Sequence, residues 1–151
     1  MATTKGIIEA ISISKQRGTK KQNIDCAELR VDCGIVGDAH AGKWHRQLSL
    51  LGSESIEKMI AKGAEVGPGD FAENITTRGL DMSSVSIGDR LTIGASVKLV
   101  ITHIGKKCHN GCYIRETVGD CIMPRMGLFA RIAAGGTVRV GDTIRWEPRS
   151  V

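Results

Sequence analysis

The sequence predicts a mainly β fold, a closed or nearly closed β-barrel with two or three short helices, and three observations predict it. Glycine makes up 19 of 151 residues, about 13% against a usual value near 7%, and it is scattered among Val, Ile and Thr runs, which implies many tight turns. Five Gly-Asp pairs, beginning at Gly37, Gly69, Gly88, Gly119 and Gly141, mark corners between short apolar stretches. Helical patterns do not alternate regularly with strand patterns, which argues against a doubly wound parallel sheet. No linker or composition break divides the chain, so residues 1–151 are read as one domain.

Taken in order, residues 6–14 are Ile-rich and partly alternating, a strand. Residues 15–23 are polar and basic, a loop. Residues 24–31 alternate loosely and form a second strand. Residues 34–42, Gly-Ile-Val-Gly-Asp-Ala-His-Ala-Gly, are too glycine-rich for a helix and read as an exposed, structured loop. Residues 47–51 resume as a short buried strand. Residues 53–63 are the clearest helix. Ser53 is placed to cap it, Glu54 and Glu57 lie in its first turn, Ile56, Met59 and Ile60 share one face, and Gly63 ends it. Residues 67–70 form a turn into a strand at 71–76. Residues 85–91 and 138–144 share one pattern, each a strand end, a Gly-Asp corner and a new strand. Residues 97–104 are a long β-branched strand between them. Residues 125–134 read as a second helix, with Leu128, Phe129 and Ile132 on one side.

Composition bounds the function. Lys and Arg outnumber Asp and Glu by 21 to 16, a net charge of +5, which suits an anionic ligand without identifying one. Five aromatic residues in all leave few platforms for stacking single-stranded bases, and no zinc-finger, homeodomain or RNP pattern occurs, so no nucleic acid is expected. No apolar run reaches bilayer length, so no membrane association is expected. The start Met1-Ala2-Thr3-Thr4-Lys5 lacks the hydrophobic core of a signal peptide, and the five cysteines are odd in number. Reduced thiols in the cytoplasm are the expectation.

The densest candidate chemistry lies at 105–115, Gly-Lys-Lys-Cys-His-Asn-Gly-Cys-Tyr-Ile-Arg, directly after the 97–104 strand. Cys108 and Cys112 sit among Lys106, Lys107, His109 and Arg115, whose positive charge favours thiolate, the form that attacks sulfur or ligates a soft metal. A short helical turn beginning at Cys112 would add its exposed amides to that effect. The residues alone leave two readings open, a reactive or ligating pair and two structural cysteines in a basic loop. Cys108, Cys112, Cys121 and His109 offer four zinc ligands, but their spacing is not that of a zinc knuckle. A second candidate is the loop 37–46, where glycines admit a ligand close to the backbone and His40, Lys43, His45 and Arg46 can bind anionic oxygens such as phosphate. Its bland alternative is a solvated basic loop with Trp44 against the barrel. A third is 69–79, where Asn74 and Arg78 either hold a polar ligand or bond the turn backbone.

Together these segments resemble the MOSC domain, named from the C-terminal domain of molybdenum cofactor sulfurases. The resemblance is carried by residues 34–42, by His45-Arg46-Gln47-Leu48-Ser49-Leu50-Leu51, by Gly69-Asp70-Phe71-Ala72-Glu73-Asn74-Ile75-Thr76, by Ile87-Gly88-Asp89-Arg90-Leu91 and by the cysteine loop, in the family's order. It spans roughly residues 6–146. It implies a β-barrel that binds the molybdenum cofactor (molybdopterin) or carries sulfur as a cysteine persulfide. Relatives with an extra N-terminal barrel are molybdenum-dependent reductases of N-hydroxylated compounds, in which the equivalent cysteine is a molybdenum ligand.

Carried over, the resemblance makes Cys112 that cysteine and Cys108 a companion thiol. It places His40, His45 and Arg46 on the ligand-facing loop and Asn74 and Arg78 in the neighbouring turn. The Cys-x3-Cys arrangement departs from the family pattern, since many members carry one cysteine here. The sulfurases' desulfurase domain is lacking, so no intrinsic pyridoxal phosphate site is expected. The implied partners are a separate cysteine desulfurase or redox partner, with a molybdenum enzyme as recipient of the sulfur. The alternatives are a molybdenum-dependent reductase and a zinc-stabilised, non-enzymatic binding module.

Overall fold

The structure, a computed structural model, describes residues 4–16, 21–39, 41–44, 47–105 and 127–148. Eleven strands, one α-helix and one 3-10 turn make up its regular structure among these residues. In chain order they are β1 (Lys5–Ile13), β2 (Gln22–Ile24), β3 (Cys26–Arg30), β4 (Gly34–Ile35), β5 (Leu48–Gly52), α1 (Ser53–Ala61), β6 (Ile75–Arg78), the 3-10 turn (Met82–Ser84), β7 (Arg90–Ile93), β8 (Val97–Ile104), β9 (Leu128–Ala134), β10 (Gly136–Arg139) and β11 (Thr143–Glu147).

Seven strands close a mixed barrel in the order β11-β7-β8-β9-β5-β6-β1, because β1 pairs back onto β11. The closure leaves no edge among those seven for another chain to pair with. β1 serves two partners on one side: Lys5–Ile7 register with β11, whereas Ile11–Ile13 register with β2. The β5–β6 pair is parallel, with Leu50 opposite Ile75, because α1 and the turns after it carry the chain back between them. A smaller antiparallel sheet, β10-β3-β4, stands beside the barrel.

The apolar residues sort onto two sides of the wall. Leu48 and Leu50 of β5, Leu128, Ala130 and Ile132 of β9, and Leu99 and Ile101 of β8 join the barrel core. Leu51 and Phe129 point the other way and meet Ile56 and Met59 of α1, with Phe71. β5 is therefore buried on both faces, which explains why it reads as a nearly continuous apolar run.

Five expectations need correction. Residues 128–134 are strand β9, not a helix. Leu128, Ala130 and Ile132 fill the barrel on alternate positions, and β9 bonds to β8 and β5 at once, so tertiary pairing overrides the helix propensity of Leu, Ala and Arg. Residues 71–74 form a turn, and the strand begins at Ile75. There, Ala72 has a positive φ of 65°, and the Glu73 carboxylate bends back to accept the Phe71 N–H at 3.2 Å. Ser53 is the first helical residue, not the cap: Gly52 occupies the cap position and no side chain bonds there. Finally, residues 85–86 are not a strand end, since the 3-10 turn precedes them. The strand at 24–31 is divided, β2 ending before Asp25 and β3 beginning after it.

Candidate functional site

Four described Gly-Asp pairs build one kind of corner. Gly37, Gly69, Gly88 and Gly141 have φ values of 91°, 94°, 94° and 95°, a left-handed conformation that glycine adopts without steric cost. In each, the aspartate N–H donates to the carbonyl three residues back, that of Ile35, Gly67, Ser86 or Arg139. Three of the aspartates then close the corner with their own side chains. Asp70 accepts from Gly67 N–H at 2.9 Å, Asp89 from Ser86 N–H at 2.8 Å and Asp142 from Arg139 N–H at 2.8 Å.

Asp38 directs its carboxylate across the fold. Its Oδ1 accepts from Lys21 Nζ at 2.7 Å and from Ser14 N–H at 3.0 Å, and its Oδ2 accepts from Asn74 Nδ2 at 3.1 Å. Neither the Lys21 nor the Asp38 side chain has any exposed surface. Asn74 completes the cluster. Its Nδ2 also donates to the Ser12 carbonyl at 3.1 Å, and its Oδ1 accepts from Ser49 N–H at 3.0 Å. Three separate stretches, the end of β1, the start of β5 and the approach to β6, are thereby tied to the corner at 37–38.

Two buried carboxyls are shifted in opposite directions. Burial disfavours the charged form of Asp38, but the Lys21 hydrogen bond and charge and the Ser14 N–H outweigh it, holding the carboxyl below the usual aspartate range. Glu73 is fully buried, and burial prevails over its bonds from Gly69, Phe71 and Thr76, pushing its carboxyl above the usual glutamate range. A raised carboxyl favours the protonated folded state. Its stabilising contribution is complete below the ordinary glutamate value, about 4.3, and is lost as pH rises through the raised folded value. Glu73→Gln keeps the amide oxygen for Phe71 and gives Thr76 a donor. The variant should therefore gain on the wild type as pH rises from 4 to 7, and urea midpoints at the two pH values check this; a constant gap would refute it.

The sequence-predicted residues divide as follows. Lys43 is exposed on the segment after the Asp38 corner. Asn74 is buried and committed to Asp38, Ser12 and Ser49, so it holds the backbone. Arg78 lies at the far end of β6, where its guanidinium meets Glu9 at 2.8 Å and Glu57 at 2.6 Å, and the structure does not bring it to Asn74. His40, His45, Arg46, Lys106, Lys107, Cys108, Cys112 and Arg115 lie outside the described residues, as do Cys121, His109 and the helical turn expected at 112. Sequence reasoning missed Lys21, which no local signal separates from the rest of its basic stretch.

The root of the thiol-bearing segment is described. β8 ends at Ile104, the chain returns as β9 at Leu128, and Gly105 N–H donates to the Gly127 carbonyl at 2.6 Å. Two residues beyond Gly127, Phe129 registers with Ser49, the residue whose N–H binds Asn74. The residues flanking 106–126 and the Asp38 cluster are thus tied to neighbouring strands. A separate cavity of about 320 Å³, between α1 and the 3-10 turn and lined by Gly52, Glu54, Lys58, Asp81 and Ser83 among others, contains none of the sequence-predicted site residues.

The fold defines a class: a closed seven-stranded mixed barrel with a Gly-Asp corner tied to β5 and a cysteine-bearing stretch of sequence between β8 and β9. The sequence profile of the MOSC domain matches residues 37–145, and the chain belongs to the MOSC domain family, which is generally linked to molybdenum cofactor binding. In fold it is similar to the YuaD protein from Bacillus subtilis, at 17% identity and a TM-score of 0.80, covering 97% of both chains. It is also similar to YiiM from Geobacillus stearothermophilus (17% identity, TM-score 0.71, covering 97% of this chain and 77% of that one). YiiM from Escherichia coli shares 18% identity at a TM-score of 0.64, over 95% of this chain and 71% of that one. None of the curated proteins matches the chain in sequence. Among the described residues, no helix is long and apolar enough to cross a membrane.

Proposed function

We propose that this protein binds the molybdenum cofactor and handles sulfur for it in the cytoplasm, with Cys112 as the sulfur-carrying thiol. The observation that carries the reading is the common rooting of the cysteine segment and the anchored Gly-Asp loop on strands β9 and β5. The donor set suits the cofactor. Lys43, with His40, His45 and Arg46 of the same loop, offers cationic and imidazole groups for the pterin's phosphate, and the thiols offer soft ligands for molybdenum. When bound, the cofactor supplies a metal centre able to accept a terminal sulfur. The chain's own residues hold the phosphate and keep Cys112 ionised through Lys106, Lys107 and Arg115.

Loading is thiol–persulfide exchange. The Cys112 thiolate attacks the outer sulfur of a donor protein's cysteine persulfide, the donor's S–S bond breaks, and the donor cysteine leaves as a thiol while Cys112 becomes the persulfide. Cys108 stands by as the companion thiol that can release the sulfur. A cysteine desulfurase is the donor and a molybdenum enzyme the recipient. The test incubates the protein with a desulfurase and cysteine and reads intact mass. One added sulfur atom is expected on the wild type and none on Cys112→Ser; equal labelling of both would remove Cys112 from the role.

A further inference from the structure

Asp70, Asp89 and Asp142 each accept the N–H three residues back on the corner that carries them, and Asp89 also accepts the Trp146 indole N–H at 2.9 Å. Asp38 occupies the same backbone corner, yet its carboxylate accepts from Ser14, Lys21 and Asn74 on other stretches of chain. Sealing an ammonium and a carboxylate from water carries a large desolvation cost, and the same Gly-Asp turn forms at 141–142 with its aspartate only partly buried. The corner's own geometry therefore does not explain the pair. What distinguishes this corner is the segment that leaves it. Ala39 N–H donates to the Ser14 carbonyl at 2.8 Å, Ala41 N–H to the Asp38 carbonyl at 3.1 Å and Gly42 N–H to the Cys33 carbonyl at 2.7 Å. Ser14 thus grips the corner twice, through its N–H to Asp38 and its carbonyl from Ala39.

We propose that Lys21, Asp38 and Asn74 are positioning residues, a buried clamp that fixes the backbone leading to Lys43 before any ligand arrives. The clamp pre-pays the ordering of a loop that would otherwise be ordered at the expense of affinity. Lys21 acts through Asp38, and Asn74 joins Asp38 to β5 through Ser49. None of the three contacts the ligand. This rests on the cofactor-binding reading of the same loop.

Amide hydrogen exchange on the full chain tests it. In the wild type, the Ala39, Ala41 and Gly42 amides are expected to be protected far beyond free-peptide rates; exchange at free-peptide rates would overturn the clamp with no variant needed. Lys21→Met/Asp38→Asn removes both charges together, so that neither is left buried without the other. In this double variant those three amides are expected to exchange at least about tenfold faster, while amides of β8 and β9 keep their protection. Unchanged exchange in the loop overturns the proposal. An equal rise throughout the barrel also overturns it, because it would show that the three residues support the fold generally. Titration with the molybdenum cofactor, read by pterin fluorescence, is expected to show at least about tenfold weaker binding for the folded double variant; equal affinity overturns the positioning role. A wild type that binds no cofactor refutes the functional reading, and the clamp is then judged on exchange alone.

Discussion

Replacing Asp38 by alanine is expected to cost the protein about 3–5 kcal/mol of folding stability. The substitution removes the carboxylate 2.7 Å from Lys21 Nζ and leaves that ammonium with no exposed surface. It also strips Asn74 Nδ2 and Ser14 N–H of an acceptor, and buried donors without partners carry their own penalty. For a chain of this length the melting temperature should fall by roughly 10 °C. Removing Lys21 as well, in Lys21→Met/Asp38→Ala, should restore part of the loss, because an ammonium buried without that carboxylate is what the single variant cannot tolerate. Urea denaturation of the two single variants and the double gives the coupling. A loss below about 1 kcal/mol in Asp38→Ala, the range of exposed pairs, would show that the two groups are solvated. The lowered Asp38 carboxyl adds a pH signature. Its contribution is present above the ordinary aspartate value and disappears as pH falls through the lowered one, so the gap between wild type and Asp38→Ala should close in acid.

Gly34→Ala is expected to lose about 3 kcal/mol or more, from backbone strain and steric overlap together. Gly34 begins β4 with φ at +124°, and a Cβ there would lie 2.3 Å from the Gln47 carbonyl oxygen and 3.6 Å from the Ala41 Cα. The Gln47 backbone has little freedom to retreat, since its side-chain oxygen accepts the Ile132 N–H of β9 at 2.9 Å. Gly37→Ala is the matching control. Its φ is +91°, but an added Cβ meets nothing within 4 Å, so only the left-handed backbone penalty of about 1–2 kcal/mol applies. Denaturant midpoints of the two variants decide the matter. Equal losses would mean that the loop does not sit against residue 47 as closely as described.

Some of the architecture is legible in local pattern. Strand β8 spans the predicted residues 97–104, because β-branched side chains with alternate burial are a signal that needs no partner to be read. The Gly-Asp corners are equally local in backbone: a left-handed glycine, then an aspartate whose N–H bonds the carbonyl three residues back, recurs at all four described pairs. β9 is not legible in this way. Leu128, Phe129 and Ile132 fit one side of a helix as well as the two faces of a strand, and the choice falls to β5 and β8, which offer hydrogen bonds on both flanks. The turn at 71–74 is similar, since a buried Glu73 bonding Phe71 N–H leaves no trace in hydrophobic pattern.

The site divides along the same line. That residues 34–42, 45–51, 69–76 and 87–91 and the cysteine loop resemble one family was visible in order and residue type, and the family assignment followed from sequence. Asn74 was picked out as a polar residue near the loop, yet its role as a tie between Ser12, Asp38 and Ser49 depends on contacts spanning 25 to 62 residues of chain. Lys21 gave no sign, because its neighbours are basic too and desolvation is a property of surroundings. By itself, then, the chain of residues determined what repeats locally: β character, corner chemistry, one helix and membership in a family. Only the closed barrel decided which charges are buried and which strands meet, because burial and pairing are made by residues far apart in sequence that no local pattern relates.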